Sequence, residues 1–167
     1  VELAGKYVQL PAQSCDEYFT FNSAFKFLTK DEGLFLSVGI TDSFDNLIDE
    51  NFYWLPDAKG EYSGLQELPK AGVTVTARLL DKGKAEVVIT NPPGNPVAFF
   101  NRTSLIDAKT KKRILPAFAD NNYVSVVSGQ QRAIRIDFTP VQGVVPAIAV
   151  EGWNVDKQII ELKNQLK

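Results

Sequence analysis

Two kinds of residue in this chain could do chemistry: paired carboxyls, and aromatic rings accompanied by amides. Two carboxyl groups held about 5–5.5 Å apart can serve as nucleophile and as acid and base on a glycosidic bond. The adjacent acids here are Asp16-Glu17, Asp31-Glu32 and Asp49-Glu50. A strand sends such neighbours to opposite faces and a turn sends both to water, so none of them is assigned a catalytic role. Aromatic rings offer another route, because a flat π-face can cover the apolar side of a pyranose while amides and carboxylates take its hydroxyls. Tyr53, Trp54, Tyr123 and Trp153 are the candidate rings, with Asp120, Asn121 and Asn122 as polar company. Each has a competing structural use. A Trp near a sheet end buries about 150–250 Å², so core or interdomain packing competes for the rings, and Trp153 would most simply plug the junction that follows the last strand. Asp and Asn bond their own backbone, so turn formation competes for Asp120, Asn121 and Asn122.

Composition removes several function classes. The 167 residues contain no histidine, which excludes Ser-His and Cys-His nucleophiles and removes the commonest transition-metal ligand. The lone Cys15 closes no internal disulfide, and neither a metal-ligand cluster nor a Gly-rich phosphate loop is present, so no metal and no cofactor is expected. A net charge of -2 provides no field to attract nucleic acid or an acidic membrane. No apolar run approaches the ~20 residues that span a bilayer, and no charged-then-apolar signal segment opens the chain. Val1 is not an initiator and methionine is absent, so the expectation is an excerpt or a processed product of a longer protein.

The elements that must position these residues are strands, because the hydrophobic period is two over most of the length. Val73, Val75, Ala77 and Leu79 alternate with polar neighbours up to Asp81-Lys82-Gly83-Lys84, and Ala85, Val87 and Ile89 carry the alternation back as a hairpin. Three prolines in Asn91-Pro92-Pro93-Gly94-Asn95-Pro96 interrupt the ladder. Further strands are expected at 97–106, 113–118, 123–127, 132–138 and 145–153, making seven in all, and about seven short strands in roughly 100 residues is the pattern of an immunoglobulin-like sandwich. Its core should hold Val75, Val87, Ile89, Ile134, Ile136, Phe138, Ile148 and Val150. One strand is ambiguous: Phe99 with Leu105 and Phe100 with Ile106 mark opposite faces.

Ahead of residue 65, strands are expected at 7–10, 18–28, 34–41 and 47–55, too few for a complete sandwich. Ladder-breaking residues at 56–60 and 68–72 bracket a connector, with the boundary near Lys70. Beyond Asn154 the period changes. Val155, Ile159, Leu162 and Leu166 fall on one helical stripe, with Asn154 as N-cap and Asp156 in the first turn. The expected architecture is therefore all-β: a partial sandwich domain plus connector over 1–70, an immunoglobulin-like β-sandwich over 71–154 and a short C-terminal helix over 155–167.

In order along the chain stand Asn51-Phe52-Tyr53-Trp54-Leu55, Thr90-Asn91-Pro92, Ala98-Phe99-Phe100, Ile114-Leu115-Pro116, Asp120-Asn121-Asn122-Tyr123 and Val150-Glu151-Gly152-Trp153-Asn154. This succession resembles the C-terminal immunoglobulin-like domains of glycoside hydrolase family 2 enzymes of the β-mannosidase and exo-β-D-glucosaminidase type, from Leu34 to Asn154. The resemblance implies accessory domains. In that family the catalytic glutamates sit on a TIM barrel of about 250 residues, which this length cannot hold beside the sheets. It implies as partners the barrel and other domains of the parent chain, with carbohydrate as a further contact. It also implies a parent that hydrolyses terminal β-mannosides or β-glucosaminides with retention, periplasmic or secreted if it degrades bacterial polysaccharide. Leu115-Pro116-Ala117-Phe118 and Asp120-Asn121-Asn122-Tyr123 lean toward the exo-glucosaminidase group. A carbohydrate-binding module and a cell-surface interaction module stay open as alternatives.

Overall fold

The computed structural model describes residues 5–9, 11, 15, 17 and 34–162. The chain divides into two compact units, Val1–Gln66 and Glu67–Lys167. In the first, β1 (Leu34–Thr41) and β2 (Leu47–Leu55) form an antiparallel hairpin, with Leu34 opposite Leu55 and Val38 opposite Asn51. Its turn is held by Asp42, whose carboxylate accepts the N–H groups of Phe44 and Asn46. Phe35 and Phe52 rings meet across the pair at 5.5 Å. The strand expected at 7–10 is not formed over its described residues 7–9, where Tyr7 is 98% exposed. The strand expected at 18–28 lies outside the described residues.

The second unit is a sandwich of two four-stranded antiparallel sheets. One runs β3 (Thr74–Asp81), β4 (Lys84–Thr90), β8 (Gln131–Phe138), β6 (Ala117–Ala119). The other runs β10 (Gln158–Glu161), β9 (Pro146–Glu151), β5 (Ala98–Asp107), β7 (Val124–Val126). The β3–β4 turn is Lys82-Gly83, with Gly83 at φ 85°. A Cβ there would stand 2.5 Å from the Phe138 carbonyl oxygen, and Phe138 N–H donates to Gly83 O at 2.8 Å, so only glycine lets β8 lock onto the turn.

Alternation decides the core. Val87 lies opposite Ile134 and Ala85 opposite Ile136 on one sheet, while Leu105 lies opposite Ile148 on the other, and all six are buried. Each such branched side chain contributes about 1.5–3 kcal/mol of gross burial. The eight expected core residues all belong to this cluster or pack against it, Phe138 being partly buried. Strand β9 is buried on both faces. Ala147 and Ala149 join Ile106 and Ala108 in a small second cluster behind the sheet, against which the 107–113 turn folds back through Ala108 N–H to Val145 O and Ile114 N–H to Leu105 O.

The C-terminal helix is corrected. Gln158–Glu161 is an extended edge strand on β9, with Ile160 opposite Ile148 and Ile159 opposite Ala149. Val155 and Leu162 are buried as the helical stripe required, but they flank a strand rather than share a helix face. The Gln158 amide donates to Val73 O at 3.0 Å, tying β10 to the opposite sheet, and ladder bonds to β9 outweigh a short helix that would have stood alone. Leu166 lies outside the described residues.

Candidate functional site

The ambiguity in β5 is resolved by a β-bulge. Ala98 pairs with Val126 and Asn101 with Val124, so β5 takes three steps where β7 takes two. The extra residue flips the alternation, which is why Ala98 and Leu105, at unlike parity, both reach the core. Phe99 is turned inward at 2% exposure, and Phe100 outward at 38% with φ 55°. That left-handed conformation is uncommon for a bulky residue and needs support from its surroundings. Phe100 N–H, displaced from the ladder, donates to Ser125 Oγ at 3.2 Å. Tyr123, also at φ 55°, lays its ring against Phe100 at 5.0 Å and 41°, and Phe100 in turn meets Phe99 at 5.6 Å.

Buried asparagines hold this end of the sandwich, a feature that sequence reasoning missed. Asn154 is not an N-cap. Its Oδ1 accepts Phe99 N–H at 2.9 Å, its Nδ2 donates to Pro69 O and Val97 O, and its own carbonyl accepts Ala71 N–H. Asn101 Nδ2 donates to Ala98 O and Val124 O across the bulge, and Asn91 Nδ2 donates to Pro96 O and Val126 O beside it. Gly152 packs where a Cβ would lie 2.6 Å from Asn101 Oδ1 and 2.9 Å from Phe99 O, so the closing Glu-Gly-Trp-Asn requires its glycine for close approach. The Asn101-Arg102-Thr103 sequon is inaccessible in the fold, because Asn101 is fully buried with its amide nitrogen, the atom a glycan would take, bonded to backbone.

The residues predicted from sequence separate into three groups. Tyr53 and Trp54 lie next to each other on β2 of the first unit, 47% and 41% exposed, where alternation sends them to opposite faces. Asp120, Asn121 and Asn122 follow β6 and bond backbone. Asp120 Oδ1 accepts Arg135 N–H while Arg135 O accepts Asp120 N–H, which prolongs the β6–β8 pairing. Asn122 substitutes for a missing strand beside β5: its Oδ1 accepts Thr103 N–H and Tyr123 N–H, and its Nδ2 donates to Thr103 O. Asn121 Oδ1 accepts Asn122 N–H. Tyr123 and Trp153 do come together with the bulge, since Trp153 N–H donates to Phe99 O at 2.9 Å. Trp153 plugs no junction to a helix; it is 56% exposed. Arg102 and Glu151 form an ion pair next to it. Among the described residues no group of three or more His, Cys, Asp or Glu could hold a metal ion.

Residues 51–155, more than half of the chain, match the family described as the exo-β-D-glucosaminidase Ig-fold domain. The chain belongs to that family. The match begins in Asn51-Phe52-Tyr53-Trp54-Leu55 and ends just past Asn154, so this Ig-fold domain family spans the segments from which the glycoside hydrolase family 2 resemblance was read. An exo-β-D-glucosaminidase of Arthroderma benhamiae is 26% identical over 144 residues, covering 75% of this chain and 16% of that enzyme. A mannosylglycoprotein endo-β-mannosidase of Lilium longiflorum is 36% identical over 78 residues, covering 43% of this chain and 8% of that enzyme. The exo-chitosanase CsxA of Amycolatopsis orientalis shares the fold at TM-score 0.68 and 22% identity, over 78% of this chain and 18% of that one. The Ig-fold chain thus spans under a fifth of the length of these relatives.

Proposed function

We propose that this chain is a non-catalytic accessory part of a larger retaining family 2 glycosidase, where it braces the catalytic barrel. The observation that carries this reading is coverage: the match that takes in 75% of this chain, including its Ig-fold segment, takes up only 16% of an exo-β-D-glucosaminidase. A TIM barrel takes about 250 residues, so the chemistry of such an enzyme belongs to the remainder of its length. The side chains here are consistent with bracing, since the amides of Asn91, Asn101, Asn122 and Asn154 all hold backbone. By this reading the parent cleaves terminal β-glucosaminides or β-mannosides; of the two relatives, one is an exo-β-D-glucosaminidase and the other an endo-acting β-mannosidase, so the glucosaminide is the better supported of the two. The test is to incubate the purified chain with aryl β-D-glucosaminide and aryl β-D-mannoside. No release of the aryl alcohol is expected above the buffer rate, and turnover by the isolated chain would overturn the reading.

A further inference from the structure

The bulged end of the sandwich is built to display aromatic surface. Phe100 and Tyr123 are both left-handed, both exposed and in ring contact, and Trp153 stands at the same end with its backbone bonded to Phe99. A bulge re-aims a side chain, and strained conformations persist only where the surroundings fix them. Here Asn101, Asn154, Ser125 and the tight Gly152 contact provide that fixing.

Building on the accessory reading, we propose that Phe100, Tyr123 and Trp153 form the face by which the sandwich docks on another domain of the parent polypeptide, one that lies outside these 167 residues. Two observations select that occupant over a sugar. The polar groups that would read hydroxyls are engaged with backbone: both atoms of the Asn122 amide and Asp120 Oδ1 are bonded to main-chain groups, whereas sugar and other small-molecule sites need convergent polar groups held ready. In addition, more than four fifths of the length of the relatives lies beyond the matched part, so ample protein surface is available to cover the rings. Exposed Tyr and Trp rings rimmed by an ion pair, here Arg102 with Glu151, have the make-up of an interface centre with a polar edge.

Hydroxyl-radical footprinting tests this on the isolated chain and on the full-length enzyme that contains it. Oxidation of Phe100, Tyr123 and Trp153 is expected to fall about five-fold in the full-length enzyme, as for the core of a docked interface. Equal oxidation in both overturns the proposal. So does protection of the isolated chain by glucosamine oligomers, which would mark a sugar platform, or protection that rises with its concentration, which would mark a second copy. A paired change, F100N with Y123N, keeps residues that tolerate the left-handed region. It is expected to leave the urea midpoint of the isolated chain in place and to speed protease cleavage at the connector of the full-length enzyme about ten-fold, because undocking exposes the linker. An unchanged cleavage rate overturns the proposal, and if the pair unfolds the isolated chain, footprinting alone decides. Equal oxidation in a catalytically silent chain sinks only this docking face, whereas turnover by the isolated chain sinks the accessory reading.

Discussion

The hairpin of the first unit and the sandwich of the second are written in the same alternating pattern, yet they differ in what the pattern achieves. In β1 and β2 no described residue is fully buried, and Ile40, Leu47, Ile48 and Trp54 are all exposed. In β4 and β9 the same kinds of residue reach zero exposure. Among the described residues only the second unit has two sheets: alternation sorts side chains to a face, but an opposing layer is what removes that face from water. Each unit carries one tryptophan, Trp54 and Trp153, so replacing either with Phe leaves a fluorescence probe of the other unit.

The sharpest way to break the contrast is at the asparagine clamp. Asn154→Ala strands the buried Phe99 N–H, at about 1–3 kcal/mol, and breaks the part-buried bonds to the Pro69 and Val97 carbonyls, at about 0.5–1.5 kcal/mol each, so the sandwich is expected to lose about 2–6 kcal/mol. Urea unfolding followed by Trp153 in a Trp54→Phe background measures it. Next comes a matched pair: Ile148→Ala should cost about 2–5 kcal/mol, whereas Ile48→Ala, 66% exposed in the hairpin, should stay within about 0.5 kcal/mol. Equal costs in thermal unfolding would mean that the two regions do not differ as described. Gly152→Ala forces a Cβ against Asn101 and Phe99 and should cost about 1–3 kcal/mol by the same assay.

The smallest effect is acid sensitivity. The Thr110 hydroxyl, then the Lys109 N–H, hold the Asp107 carboxyl below the usual carboxylate range, and the Asn46 side chain does the same for Asp42 in the hairpin turn. A depressed carboxyl stabilises the fold above its unfolded value of about 3.9 and stops doing so as pH falls through the lower folded value. Both turns should therefore loosen slightly as pH falls below about 4. Hydrogen exchange at Ala108 and Phe44 would register it, and Asp107→Asn should abolish the response in the sandwich turn alone.

The sandwich was legible because β3, β4, β8 and β9 alternate cleanly, and the eight expected core positions follow from that alternation. Three features were not legible. Gln158–Glu161 is only four residues long, too short for a period of two to outweigh an apparent helical stripe. The bulge adds one residue to β5 without any glycine to announce it, so Phe99 and Phe100 pointed both ways. Asn91, Asn101 and Asn154 were overlooked because asparagine is mostly a surface residue, and nothing in one sequence tells a buried clamp from a turn. Of the candidate site, Tyr123 and Trp153 do share one end of the sandwich, while the hydrogen bonds of Asp120 and Asn122 show how closely a polar cluster can imitate a ligand site when its task is to complete a sheet edge.

The placement of β9 between β5 and β10, with Asn154 just behind it, has a consequence for biogenesis. On a ribosome, β3 and β4 emerge well before β9 and β10, which complete the sheet opposite them, and within the sandwich the clamp reaching back to Pro69 forms only after β9. Until then their apolar faces wait uncovered while synthesis proceeds at about 5–20 residues per second. The nascent sandwich is thus a late-closing body, and its need for shelter during translation follows from how late β9 and β10 fall in the order of synthesis.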